Sequence, residues 1–429
     1  MDICVVGVGH VGLVTGACLA HLGHRVIGID NSLKRIKDLK NGKLPFYEPG
    51  LERLIRESKK AGRLSFSSNL GTGVRNSKVI FICVGTPPKE DGEADLSSVE
   101  KVVREISRNL CGYCVIVEKS TVPVNTWQWI KHTVNLYNRR RVEFDVAVNP
   151  EFLREGSAVK DFLEPDRIVI GVENERAKNI LLEIYKKIDC PKLITNLPTA
   201  EIIKHASNSF LATKISFINS VANLCEKVGA DVISVARGMG YDSRIGSAFL
   251  NAGAGYGGFC FPKDLAAFIH IAEKHGCDFA ILKAVQKVNE EQKKLVVKKI
   301  KEALWVLKGK TIGILGLAFK PDTDDMRFAP SIDIIHLLQQ EGARIKAFDP
   351  AAMHEAKKIL KEVKFCQNAY DTARDSDCLA ILTEWKEFRN LDLKKIKKLL
   401  KTPVIIDGRN IFDPEQMKKL GFVYKGIGR

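Results

Sequence analysis

The chain has 429 residues, 45% hydrophobic and 28% charged, with a formal net charge of +16. That is ordinary globular composition, long enough for two or three domains with their own cores, and no uninterrupted apolar run is long enough to span a bilayer, so no membrane partner is expected. Eleven cysteines, an odd number scattered through the chain, do not look like a disulfide framework and point to a reducing cytoplasm; no Cys/His spacing matches a zinc site, so no metal is expected. The positive charge admits nucleic acid, an anionic membrane surface, an anionic small substrate or a lysine-rich solvated surface. The runs KKLVVKKIKEALWVLKGK (293–310) and LKKIKKLLK (393–401) interleave lysine with apolar residues at helical spacing. They read as solvated faces of amphipathic helices, and without a nucleic-acid motif beside them nucleic acid is not an expected partner.

In chain order, the N-terminal stretch MDICVVGVGHVGLVTGACLA is apolar but lacks a basic leader and carries glycines at fixed spacing, so it reads as strand, turn and helix rather than as a secretory signal. HRVIGID, ending in Asp30, is a second strand. KVIFICVG (78–85), YCVIVEKST (113–121), FDVAVNP (144–150) and RIVIGV (167–172) follow, most of them separated by helical patterns. From about Thr199 some thirty residues carry apolar side chains at three- and four-residue intervals, which predicts one long helix or two in tandem, with further helices to about Leu307. At Lys310 the alternation returns with TIGILGLAF, ARIKAFDP, CLAILTEW and PVIIDGRN. The expected architecture is α/β: two Rossmann-like α/β domains with mostly parallel sheets, joined by a long helical connector. The divisions fall at 1–198, 199–308 and 309–429.

Gly7, Gly9 and Gly12 form GxGxxG between a predicted strand and helix, and Asp30 closes the next strand at the separation that a dinucleotide site requires. The first glycine permits the turn, the second lets a pyrophosphate approach, the third allows close helix packing, and the helix N-terminus faces the phosphates. Asp30 would accept from ribose hydroxyls, which favours NAD; Arg35, five residues on, keeps the 2′-phosphate of NADP open as the alternative.

In GAGYGGFCFPKD (253–264), Cys260 follows a run of glycines and precedes Pro-Lys-Asp. Glycines let a backbone come close to something that is not protein. Two readings stand at this point: a buried structural thiol, or a thiolate nucleophile assisted by Lys263. A thiolate is useful where an alcohol is oxidised past the aldehyde, because hydride can leave the thiol adduct and give a thioester.

This stretch resembles the active-site signature of UDP-glucose 6-dehydrogenases within the UDP-glucose/GDP-mannose dehydrogenase family. GVGHVGLVTGACLA (7–20), PFYEPGL (45–51), VGTP (84–87), KSTVPV (119–124), NPEFLREGSAVKDF (149–162), EIIKHASNSFLATKISFINS (201–220), GLAFKPDTDDMRFAPS (316–331) and DGRN (407–410) resemble the same family in the same order. His10 departs from it, standing where a tyrosine is usual. The resemblance implies a two-fold oxidation at C6 of UDP-glucose to UDP-glucuronate, with two NAD and one water. It implies Cys260 as nucleophile, Lys204 and Asn208 as oxyanion donors one helical turn apart, Glu151 as the acid/base for hydrolysis, Thr121 on the reactive water or cofactor, and Asp264 as support for that constellation. Without the resemblance Lys204 and Asn208 would read as a solvated lysine and a surface amide, and Asp264 as a helix N-cap.

By the same resemblance the cofactor set comprises Gly7, Gly9, Val11, Gly12, Asp30, Arg35, Thr86, Thr121, Glu155, Lys263 and Arg327. The substrate set comprises Glu151, Phe152, Leu153, Arg154, Glu155, Lys204 and Asn208, with Arg244, Phe249, Tyr256 and Gly257 from the glycine loop and Phe319, Lys320 and Arg409 on the nucleotide side. Apolar positions on more than one face of the long helix suggest a homodimer or higher homo-oligomer. The alternatives are a dehydrogenase of another sugar nucleotide, such as GDP-mannose or a UDP-N-acetylhexosamine, and a non-catalytic binding protein on the same fold.

Overall fold

The computed structural model describes residues 1–89 and 93–429. Eight strands form the first sheet: β1 (Asp2–Val6), β2 (Arg25–Ile29), β3 (Leu64–Ser67), β4 (Val79–Ile82), β5 (Cys114–Glu118), β6 (Phe144–Val148), β7 (Ile168–Gly171) and β8 (Lys192–Thr195), in spatial order β3-β2-β1-β4-β5-β6-β7-β8. All pairs are parallel except β6 with β7, which meet antiparallel at Val148 and Gly171. The central strands read as continuous apolar runs because both faces are buried. Ile3, Val5, Val79, Phe81, Val115 and Val117 enter one core, while their neighbours Cys4, Val6, Ile80, Ile82, Cys114 and Ile116 enter another. The period of two along each strand thus feeds two layers of helix at once.

The second sheet has six strands: β9 (Thr311–Leu315), β10 (Arg344–Phe348), β11 (Val363–Phe365), β12 (Cys378–Ile381), β13 (Val404–Asp407) and β14 (Val423–Lys425), in order β11-β10-β9-β12-β13-β14, all parallel. It divides its side chains in the same way: Ile312, Ile314, Cys378, Ala380, Val404 and Ile406 face one core, and Leu315, Leu379, Ile381 and Ile405 the other. Both sheets follow the doubly wound order 3-2-1-4-5-6 through their first six strands.

The stretch after β8 is one helix, Leu197–Val228, not two in tandem. Helices Val232–Gly240, Cys260–Lys274 and Ala280–Leu304 follow. Packing divides the chain into two compact units, residues 1–207 with 266–275 and residues 208–265 with 276–429, so the long helix and the Cys260–Lys274 helix each contribute to both. The lysine-rich run at 293–310 is only partly a solvated face. Lys293 and Lys299 are buried, the first ion-paired to Glu290 and Asp333 and the second to Glu226 at 2.6 Å. Among the described residues no helix is long and apolar enough to cross a membrane, and no group of three or more His, Cys, Asp and Glu is arranged to hold a metal.

Candidate active site

In the first unit β1 runs into a turn whose three glycines have three different reasons. Gly7 has φ +91°, and a Cβ there would lie 2.7 Å from the Cys83 carbonyl oxygen; a Cβ on Gly12 would lie 1.8 Å from the Gly7 oxygen. Both are demanded by the fold itself. A Cβ on Gly9 would meet nothing within 4 Å, so this position opens onto empty space at the N-terminus of helix His10–His21. That is a cradle for a phosphate: exposed N–H groups at the positive end of a helix with no side chain in the way. Val11, one residue further, packs its partly buried side chain on the core below. His10 stacks on Phe46 with ring centroids 3.9 Å apart, an aromatic contact that the imidazole supplies in place of tyrosine. Asp30 is buried directly after β2, accepts the N–H of Val8 at 3.1 Å and of Ser32 at 2.9 Å, and is ion-paired to Arg35 at 2.9 Å. Arg35 is thereby occupied by the carboxylate of its own chain.

The loops after β4 and β5 are tied together. Thr86 donates its hydroxyl to the Thr121 carbonyl at 2.7 Å, and Ser120 to the Val84 carbonyl at 2.7 Å. Below Thr121 the long helix grips the same loop. Glu201 accepts N–H bonds from Asn125 (2.7 Å) and Trp127 (3.3 Å), and a ring nitrogen of His205 lies 2.7 Å from the Val122 carbonyl. Glu118, at the end of β5, faces Glu201. Burial and then the Glu201 charge push the Glu118 carboxyl well above the usual range, while burial raises Glu201 to about 7 against its backbone N–H donors. These three residues were not singled out in the sequence; a mid-helix Glu and His carry no local signal of what they hold.

One turn along from Glu201, Lys204 is ion-paired to Glu151 at 2.8 Å, both side chains about 95% buried. The other Glu151 oxygen accepts the Leu153 N–H at 2.6 Å, which turns the chain sharply after β6. Phe152 lies beneath two cations, Arg167 at 3.8 Å and Lys204 at 5.5 Å from its centroid. Arg154 is exposed and holds Asp161 through Nη2 at 2.6 Å and Nε at 3.0 Å. Glu155 is half-buried beside it. Glu48, in the PFYEPGL stretch, shapes this loop from outside, accepting the N–H of Gly156 and of Ala158 at 2.8 Å each. The motif was legible, but this capping role was not.

In the second unit Cys260 is half-buried and is the first residue of helix Cys260–Lys274, where the helix dipole favours negative charge. The helix begins four residues before Asp264, which therefore lies inside it and is not its N-cap. Asp264 is fully buried and joins two neighbours: Asn208 donates to it at 2.6 Å, and Lys263 is ion-paired to it at 2.9 Å. Phe249, Phe261 and Tyr256 form an aromatic group around the cysteine's neighbour, with centroids 6.1 and 5.9 Å from Phe261. Phe249 has φ +64°, a conformation that a bulky residue adopts only when its surroundings enforce it. Asn289 clamps the Tyr256 backbone from both sides.

The glycine run answers to protein atoms more than the sequence suggested. A Cβ on Gly257 would lie 2.2 Å from the Phe328 oxygen, on Gly258 2.7 Å from the Phe319 ring, and on Gly253 2.8 Å from the Gly408 oxygen. The loop is seated on the two other segments expected to read the nucleotide. Arg409 completes the seat, donating to Leu382 (2.8 Å), Gly255 (3.2 Å) and Phe319 (3.4 Å) carbonyls and facing Glu384 at 3.3 Å. Lys320 lies 5.6 Å from the Phe319 ring. Arg327 chelates Asp325 and stacks 4.3 Å over Phe259. Arg244 points into solvent, its partner being Asp242 two residues earlier.

Three comparisons bear on this arrangement. Residues 1–189 match the NAD binding domain of the UDP-glucose/GDP-mannose dehydrogenase family, residues 198–291 its central domain and residues 313–414 its UDP binding domain. The chain is 48% identical to the UDP-glucose 6-dehydrogenase TuaD of Bacillus subtilis, over all of this chain and 93% of that one. A UDP-glucose dehydrogenase structure from Pyrobaculum islandicum superimposes with TM-score 0.94 at 40% identity, covering 99% of this chain and 97% of the other. A UDP-D-ManNAc dehydrogenase structure from Pyrococcus horikoshii gives TM-score 0.88 at 27% identity, over 100% and 99%. With matching models in chain order and near-half identity along its whole length, this chain belongs to the UDP-glucose/GDP-mannose dehydrogenase family.

Proposed function

We propose that the protein oxidises the C6 alcohol of UDP-glucose to the carboxylate of UDP-glucuronate, consuming two NAD and one water and releasing two NADH and three protons. The open cradle at Gly9, the helix N-terminus behind it and Asp30 suit NAD, which when bound accepts the hydride in each oxidation. The remaining chemistry belongs to side chains of this chain. In the first step the alcohol gives up a hydride and a proton and becomes an aldehyde. The Cys260 thiolate adds to that carbonyl carbon, and Lys204 and Asn208 donate to the oxyanion that forms. Loss of a second hydride from the same carbon leaves a thioester on Cys260. Glu151 takes a proton from the water that attacks it, the C–S bond breaks, and the thiolate is restored. Thr121 orders that water, and Asp264 fixes the Asn208 amide.

The observation that carries this reading is the register of Lys204 and Asn208 on one unbroken helix: one turn apart, the first on Glu151 and the second on Asp264, four residues beyond Cys260. Val11, Thr86, Glu155, Lys263, Arg327 and Arg35 complete the cofactor side in this reading. Phe152, Leu153, Arg154, Arg244, Phe249, Tyr256, Gly257, Phe319, Lys320 and Arg409 complete the substrate side. The division at 1–198, 199–308 and 309–429 then assigns NAD to the first part, the thiol and the helical connector to the second, and the UDP moiety to the third. Exposed Phe210, Phe217 and Leu224, seven residues apart along the long helix, support a homo-oligomer. Free thiols packed in the cores, among them Cys4, Cys18, Cys83, Cys225 and Cys378, suit a reducing cytoplasm.

The test is the ratio of NADH formed to UDP-glucose consumed at saturating NAD. Two supports the double oxidation, and Cys260→Ser should then bind UDP-glucose yet yield no glucuronate. A ratio of one removes the thioester from the scheme.

A further inference from the structure

Lys119 follows β5 and has no part in the steps above. It is 4% exposed, and its Nζ donates to the side-chain oxygen of Asn149 at 3.0 Å and reaches the Asn149 carbonyl at 3.4 Å. Asn149 stands two residues before Glu151, and its polar atoms are engaged on every side. Tyr185 donates its hydroxyl to the same side-chain oxygen at 2.5 Å, the Asn149 amide donates to the Val169 carbonyl at 2.8 Å, and its backbone N–H donates to the Glu118 carbonyl at 2.9 Å. The ammonium is therefore bonded to the residue from which the Glu151 segment departs. A cavity of about 240 Å³ opens here, with Lys119, Asn149, Glu151, Phe152 and Tyr185 in its wall.

The charges facing Lys119 can be sorted. Burial pulls its ammonium down to about 8; Cys83 at the end of β4 and Glu151 push it back up, and Lys204 on the long helix pushes it down. The Cys83 thiol is itself raised to about 12 by burial and stays neutral, and burial raises the Tyr185 hydroxyl as well. That leaves the Glu151 carboxylate as the charge that favours the Lys119 ammonium. Asp161, held by Arg154, lines the cavity as well, with Lys160, Glu164, Asp166 and Arg167.

We propose that Lys119 is a positioning residue for the oxidation: bonded through Asn149 to the Glu151 segment, its ammonium holds Glu151 in place to take the proton of the hydrolytic water, and loss of the Lys119 proton switches that step off on the alkaline side. This rests on the reading of Glu151 as the acid/base. Two lysines divide the labour, Lys204 on the Glu151 carboxylate itself and Lys119 holding the segment through Asn149.

The test compares pH profiles of kcat for the wild type, Lys119→Arg and Lys119→Gln at saturating UDP-glucose and NAD. The wild type should lose activity above a limb at about 8. Lys119→Arg, charged throughout, should keep the acid limb and lose the alkaline one. Lys119→Gln should lower kcat about 10-fold with the UDP-glucose KM within about 2-fold, and show no alkaline limb at about 8, because the group that titrates there is gone. An alkaline limb that survives at about 8 in Lys119→Arg overturns the proposal, as does a Lys119→Gln enzyme with the wild-type kcat. If Lys119→Gln does not fold, the Lys119→Arg profile decides alone. Glu151→Gln separates the two readings: it should trap sugar on Cys260 as an acid-stable thioester, and if it turns over without such a species, the Glu151 assignment fails first. If it traps the thioester while Lys119→Arg keeps its alkaline limb, only the Lys119 proposal fails.

Discussion

The two sheets share one strand order, yet the turns after their first strands do opposite things. Both turns begin with a glycine of positive φ, Gly7 at +91° and Gly316 at +92°, and both second strands end beside a buried aspartate, Asp30 and Asp349. After Gly7 comes Val-Gly, and the second glycine faces empty space. After Gly316 comes Leu-Ala, whose N–H groups are both taken by Asp349, at 2.7 and 3.1 Å. Asp349 also accepts the N–H of Ala351 and Ala352 and the Trp385 indole. The second turn is sealed by the chain's own donors and acceptors, whereas the first leaves N–H groups at a helix end for a ligand. Topology alone does not make a dinucleotide site; what the turn leaves unsatisfied does.

Substitutions can break this comparison. Gly316→Val forces a Cβ to 2.4 Å from Thr383 in a left-handed conformation, and should cost about 3 kcal/mol or more and lose the folded second unit, read by thermal melting. Gly9→Val, in open space, should leave melting within about 2 °C while weakening NAD about 100-fold by titration calorimetry. Equal effects on stability would mean that the two turns are not different in kind. The aspartates should separate in the same way but less widely. Asp349→Ala removes the acceptor of four backbone N–H groups and of the Trp385 indole and should destabilise by about 2 kcal/mol, whereas Asp30→Ala should weaken NAD about 10-fold with a smaller loss of stability.

The smallest effect concerns pH. Glu201, raised to about 7 in the folded chain, binds a proton there that the unfolded chain releases near 4.5. Its contribution to stability is therefore full below about 4.5 and falls as pH rises through about 7. Glu201→Gln should narrow the difference in melting temperature between pH 5 and pH 8 by a few degrees, and an unchanged difference would place the charge elsewhere.

The central strands were legible because burial on both faces writes an unbroken apolar run, as in Val79–Ile82 and the first four residues of β5. The four strands that the sequence did not announce, β3, β8, β11 and β14, are the outermost of their sheets, three or four residues long. Except for β3, which alternates buried and exposed residues, they have little fully buried surface to leave a pattern. The site divides similarly. Gly7, Gly9, Gly12 and Asp30 could be read because a local turn fixes their spacing. Lys204, Asn208 and Cys260 were readable only through a family resemblance, since their partners lie 53 and 56 residues away for the first two. Glu48, Glu201 and His205 act on loops distant in sequence, where nothing in their own neighbourhood marks them.

The one antiparallel pairing of the first sheet has a consequence for diversification. Because β7 runs against β6, the chain from Asn149 to Arg167 leaves and re-enters the sheet at the same end and owes nothing to a crossover of fixed minimum length. That segment carries Glu151, Phe152, Leu153 and Arg154. Beyond Glu151 it can lengthen or shorten while every parallel register beneath it stays put, so that, in the proposed reading, the wall around the sugar can diversify without re-engineering the part of the fold that holds the dinucleotide.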